Sequence, residues 1–95
     1  MHVNIKDLKN ASDKLFEQLL ESGLHDLTLT HDYYWEIPKQ SRIDPYTTPT
    51  EFTMGQLSFD IAEMKRLIDG TAEPIPYALV WLAAILREIG EKTAE

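Results

Sequence analysis

The stretch LTLTHDYYWEIP, residues 27–38, decides how this sequence folds. Threonine and aromatic residues favour strands, and the apolar residues here alternate with a period of two. Because successive side chains of a strand point to opposite faces, Tyr33 and Trp35 are predicted to face the core and Tyr34 the open side. The alternation predicts one long strand or two short collinear strands. A hairpin turning at His31-Asp32 is disfavoured because the turn lacks a glycine.

Amphipathic helices are predicted on both sides of this stretch. Residues 4–22 have apolar side chains with the helical period, with Asn4 as the N-cap and Gly23 as the stop. A second helix is predicted to start in TMGQL, where the spacing of Thr53 and Gln56 fits a capping box, and to end at Gly70. The third runs from the region of Pro76 to Gly90, and its wide apolar surface predicts a central place in the fold.

Residues 38–50 contain three prolines and no regular period, which predicts a long loop. A short return strand is predicted near residues 51–53. The sequence therefore predicts a single α+β domain over residues 1–95, in the order helix, strand or strands, loop, helix, helix, with residues 91–95 as a solvated tail.

Composition excludes several classes of function. The 95 residues carry a formal net charge of −7 and no cysteine, which removes disulfides and thiolate chemistry and fits a cytoplasmic protein. An acidic chain without a basic stripe is not expected to bind nucleic acid. The longest apolar run, YALVWLAAIL, is about half of the ~20 residues that span a bilayer, so no membrane association is predicted.

Two His-Asp pairs, at residues 25–26 and 31–32, are the main candidates for chemistry. On an extended backbone the two histidines would lie roughly 20 Å apart, too far to share one metal ion. Asp32 would also point away from the His31 ring on a strand, so it would not orient a general base. The sequence predicts no catalytic residue, no metal site and no cofactor, and an enzyme is the less favoured reading.

Aromatic and acidic residues give the better candidates for a binding surface. Aromatic rings with polar tips are enriched at protein interfaces. The predicted interface combines such rings with nearby acids and with one phenylalanine that lies off its helix's apolar stripe: Asp32, Tyr34, Glu36, Asp44, Tyr46 and Phe59.

The segments DYYWEIP, GQLSFDIAEM and YALVWLAAILREIG together resemble a group of short bacterial proteins of uncharacterised function. The resemblance implies a helix, an aromatic strand and two closing helices. No activity is attached to that group, so the resemblance assigns no catalytic or binding residue.

These observations favour a small soluble interaction protein that binds another protein or itself as a homodimer. One concrete form is an inhibitor or immunity-type protein directed at a basic partner, since opposite charge steers association. The alternative is a small hydrolase or metal-dependent enzyme that uses His31, Asp32 and the 38–50 loop.

Overall fold

The computed structural model describes residues 1–70 and 78–94 of the chain. Within these ranges the order of elements is α1 (Ile5–Glu21), β1 (Tyr33–Glu36), α2 (Lys39–Ile43), β2 (Thr53–Gln56), α3 (Leu57–Ile68) and α4 (Ala78–Thr93). The α+β class and the order of the main elements are confirmed. The predicted 38–50 loop is wrong in one respect, because its first residues form the short helix α2.

Helix α1 begins and ends where the sequence predicts. The Asn4 side chain accepts a hydrogen bond from the Asp7 backbone N–H at 3.0 Å, which satisfies an amide that the first turn leaves unpaired. The chain leaves the helix through Gly23, whose φ of 90° is strained for residues with a side chain. Local chemistry alone therefore fixes both ends of α1.

The two strands pair antiparallel and form one sheet, with Tyr34 opposite Gly55 and Trp35 opposite Met54. This strand pair is here called the hairpin, although α2 lies in the connection between its strands. The prediction that residues 27–37 form a long strand or two collinear ones is wrong, since the strand β1 is only four residues long. The return strand was predicted close to its true place. The capping box is wrong because Thr53 and Gln56 belong to β2, and α3 starts only at Leu57.

Helices α3 and α4 pack against each other and form the core. Its buried apolar residues are Leu57, Ala78, Ala84 and Ile85, and the edge of the Phe59 ring meets Trp81 with 6.5 Å between centroids. Helix α4 also contacts the segment before β1, where Lys92 donates a hydrogen bond to the Thr28 carbonyl. The central place predicted for α4 agrees with these contacts.

The C-terminal end of α4 differs from the prediction. The helix continues through Gly90 to Thr93, because Gly90 keeps a negative φ and the Ala94 N–H donates to the Gly90 carbonyl. Most of the predicted solvated tail is thus helical. The predicted role of Pro76 falls outside the described residues. Among the residues that are described, no helix is long and apolar enough to cross a membrane.

Candidate interaction surface

The inner face of the hairpin holds Tyr34, which joins the sheet to both core helices. Its hydroxyl donates a hydrogen bond of 2.6 Å to Asp60 of α3, and the guanidinium of Arg87 in α4 lies 5.5 Å from the centre of its ring. Burial, followed by the bond to Asp60, raises the pKa of Tyr34. Burial also raises the pKa of the Asp60 carboxyl. Tyr34 is therefore a structural link rather than an activated phenol.

Gly55 makes this arrangement of Tyr34 feasible. A Cβ atom at residue 55 would lie only 2.2 Å from Cζ of the Tyr34 ring. The ring crosses the hairpin directly over the glycine backbone, as aromatic residues do when they cover a glycine on the neighbouring strand. The pair Tyr34–Gly55 thus decides which face of the hairpin turns inward.

The prediction of the two sheet faces is wrong as a result. Tyr33 and Trp35 are 60% and 65% exposed, whereas Tyr34 is half-buried. The period of two is correct, but the inward face is the one that carries Tyr34 and Glu36. On this face the Tyr34 hydroxyl bonds to Asp60 and its ring lies beside the Arg87 guanidinium.

Asp32 caps helix α3 from outside that helix. Its carboxylate accepts hydrogen bonds from the Ser58 N–H at 2.7 Å, the Ser58 hydroxyl at 3.0 Å and the Gln56 side-chain amide at 2.8 Å. The bond from Gln56, then that from the Ser58 backbone, lowers the pKa of Asp32. Because all of these bonds are internal, Asp32 supports the fold at this position.

His31 holds the same segment to α4. Its Nε2 lies 3.0 Å from Oε2 of Glu88, a carboxylate that is almost fully buried. The anchor segment, as it is called here, consists of His31, Asp32 and Tyr34. His31 contacts α4, while Asp32 and Tyr34 both contact the first turn of α3. The hairpin is fixed rigidly from one side.

The buried acids of the helix pair all have partners. Asp60 accepts from Tyr34, Glu88 pairs with His31, and Glu63 accepts two bonds from Arg66 at 3.0 and 3.2 Å. Burial of carboxylates is tolerated when each is hydrogen-bonded or paired. These acids are therefore accounted for by the fold.

The outer face of the hairpin carries a continuous set of large apolar side chains. Trp35 and Met54 are cross-strand neighbours, and the Trp35 and Phe52 rings meet edge to face with 6.1 Å between centroids. The outer patch, as it is called here, consists of side chains that are all at least half exposed: Tyr33, Trp35, Phe52 and Met54. The alternation in β1 predicts Tyr33 and Trp35 in the core and so does not reveal this patch. The glycine opposite Tyr34 is the sequence signal that could have revealed it.

The remaining predicted interface residues lie in different surroundings. Asp44 accepts bonds from the Tyr46 N–H and the Thr47 hydroxyl, which lower the pKa of its carboxyl and order a turn. Tyr46 is 96% exposed, and Phe59 is 54% exposed beside Trp81. Glu36 is half-buried at a cleft shared with Arg87.

The candidate chemistry around His31 also has a defined geometry. His31, Asp32 and Ser58 line a cleft of about 400 Å³. The Ser58 hydroxyl donates a hydrogen bond to the Asp32 carboxylate. A carboxylate with a lowered pKa is a weak base, so this contact does not activate the serine. Across residues 1–70 and 78–94, no group of three or more His, Asp or Glu side chains is placed to hold a metal ion.

No family model, curated protein or solved structure matches the chain in comparisons with known proteins. A function is therefore argued below from the surface chemistry of the described residues.

Proposed function

We propose that the protein acts by binding another protein, with a basic surface, through the outer patch. The observation that carries this proposal is a set of four large apolar side chains, each 50–65% exposed, on a hairpin that is fixed from its other face. Contiguous exposed apolar surface is uncommon on monomeric proteins and often marks an interaction site.

The chemistry of the patch suits a protein partner. Tryptophan, tyrosine, phenylalanine and methionine are the residue types enriched at interface cores, and tryptophan and tyrosine dominate binding energy. The scaffold adds to affinity, because the anchor segment holds Tyr33 and Trp35 in place before binding. Less conformational entropy is then lost when the partner docks.

The charge of the chain argues for a basic partner. Sixteen acidic residues stand against nine basic ones, for a net charge of −7. Opposite charge speeds the encounter and disfavours acidic competitors. An inhibitor or immunity-type protein is one form that such a binder takes.

The first prediction concerns Trp35. We expect Trp35→Ala to weaken partner binding by about tenfold or more, the loss typical of a central aromatic at an interface. The immobilised protein would be offered two fractions of a cell lysate, one retained on a cation exchanger and one that flows through. Capture should come from the basic fraction and weaken as salt rises.

Ile68→Ala is the control, because Ile68 is also apolar and exposed, at 74%, and lies at the far end of α3. Its capture pattern should equal that of the unaltered protein. Capture that survives Trp35→Ala, or that comes from neither fraction, contradicts the proposal.

The alternative proposal, a small hydrolase, has support only from the His31–Glu88 pair and the cleft that His31 shares with Ser58. The 38–50 segment does not line that cleft among the described residues. Hydrolysis of model esters or phosphoesters that His31→Ala abolishes would favour this alternative over protein binding.

A further inference from the structure

We propose that the apolar face of α1 is the interface of a homodimer, in which two α1 helices cross antiparallel near Ser12. This surface is separate from the outer patch. The two proposals therefore stand or fall independently.

The apolar face of α1 has almost no cover from its own chain. In α1, all of whose residues are described, no side chain is buried. The exposed fractions along the face lie between 43% and 73% for five large residues: Ile5, Leu8, Leu15, Phe16 and Leu20. An isolated helix of about this length is marginal in water, since most helical stability in proteins comes from packing of the apolar face.

Helix α4 lies next to α1 but does not cover its apolar face. A groove of about 550 Å³ separates α1 from α4 and is lined by Leu15, Phe16 and Leu19 on one side and by Leu86 and Ile89 on the other. Leu86 itself is 47% exposed. The groove extends the apolar face of α1 and adds surface that an incoming helix can fill.

The exposed area matches what a stable dimer needs. The chain exposes 8194 Å², whereas a compact monomer of 10.9 kDa exposes about 5,600 Å² by the usual scaling. The excess of about 2,600 Å² counts all exposed surfaces of the chain, the outer patch included, and is large enough to supply the roughly 1,000–2,500 Å² that each copy buries in an obligate homodimer. The radius of gyration of 15.2 Å likewise exceeds the about 12.4 Å expected for a compact chain of this length.

The charged side chains of α1 lie away from its apolar face. Asn10, Glu17 and Glu21 share the opposite side of the helix, and Lys9 is paired with Asp13 at 2.7 Å. A second helix that covers the apolar face therefore leaves these charges in water.

The side chains along α1 are complementary about Ser12. A crossing there places Ile5 opposite the partner's Leu19 and Leu8 opposite the partner's Phe16. Ser12 is small, and its hydroxyl is already bonded to the Leu8 carbonyl. The two backbones can therefore approach closely at the two-fold axis, as in an isologous interface.

A symmetric disulfide tests this geometry directly, because the natural chain has no cysteine. Ser12→Cys should form an interchain disulfide under mild oxidation, since residue 12 of each copy lies at the crossing and bridging needs Cα atoms within about 7 Å. Asn10→Cys, two residues away and on the opposite face of α1, is the control and should stay unlinked. Equal cross-linking of both variants, or of neither, overturns the proposal.

Light scattering on the unaltered protein supplies the second readout. We expect a dimer at high concentration, monomers for Leu15→Glu, and an unchanged dimer for Trp35→Ala, which alters only the outer patch. Leu15 is 62% exposed, so its replacement should leave the helical circular dichroism of α3 and α4 in place. A monomer at every concentration, or a dimer that Leu15→Glu preserves, contradicts the α1 interface.

Discussion

Gly55 lacks a side chain at the point where the ring of Tyr34 crosses the hairpin. A methyl group there would overlap the ring, so Tyr34 would have to move away from Asp60 and Arg87. Because residue 55 has no side chain, Tyr34 can turn inward, and Tyr33 and Trp35 are left exposed.

We predict that Gly55→Ala lowers the free energy of unfolding by about 1–3 kcal/mol, the usual cost of forcing extra volume into a packed site. Urea unfolding followed by circular dichroism would measure it. Gly90→Ala is the matched control: it has open space around it inside α4 and should instead stabilise the chain by about 0.5–1 kcal/mol. Equal effects at the two glycines would contradict the role given to Gly55.

For single residues of a strand, the sequence predicts the alternation of side chains better than it predicts which side faces the core. The alternation of Tyr33, Tyr34 and Trp35 is correct, but the sides are reversed. The information that sets the direction lies 26 residues away at Asp60 and across the sheet at Gly55. Alternation within one strand contains neither, so the binding surface could not be placed from it.

Among the elements, the start of α3 depends on a residue of another segment. Gln56, at the N-cap position, makes no capping hydrogen bond with its side chain, and the carboxylate of Asp32 accepts from the Ser58 N–H instead. A local capping pattern in TMGQL therefore predicted the wrong start. The ends of α1 were predictable because Asn4 and Gly23 act on their own helix.

We expect Asp32→Ala to expose the first turn of α3, seen as faster hydrogen exchange at the Ser58 amide. The pKa of Asp32 is lowered below its usual 3.8 in the folded chain. Its contribution to stability is therefore present above about pH 4 and is lost as the pH falls through the lowered pKa. The difference between variant and parent should disappear in acid.

Asp44→Ala is the control for this substitution, since Asp44 also has a lowered pKa but caps only the turn at Tyr46 and Thr47. Hydrogen exchange at the Ser58 amide should be unchanged in Asp44→Ala. A Ser58 amide that stays protected in Asp32→Ala at neutral pH would show that another group caps α3.

For the whole molecule, the α+β class and the packing of α3 on α4 follow from amphipathic periods that the sequence displays openly. The sequence does not show what covers the apolar face of α1. An amphipathic period predicts that a face will be buried, but it does not say whether the same chain or a second copy buries it. Our proposal that a second copy buries it rests on the exposed apolar face of α1 and on the large exposed area of the chain.

A homodimer predicts that thermal stability depends on protein concentration. By mass action, the midpoint of unfolding should rise with concentration for the unaltered protein, because association stabilises only the folded form. Leu15→Glu should show a lower midpoint that concentration does not change. Differential scanning fluorimetry over about a hundredfold concentration range measures both. A midpoint that is constant for the unaltered protein excludes the coupling of folding to association.

The anchor segment also sets an order of events in folding. Its bonds join residues that are distant in the chain, Tyr34 with Asp60 and His31 with Glu88, so the intervening loops must close before these bonds form. Helix α1 takes no part in those bonds, and in the proposed dimer its apolar face is covered only when two chains meet. The proposal therefore implies a first-order step that builds the hairpin and the α3–α4 core, followed by a second-order step that buries the apolar face of α1.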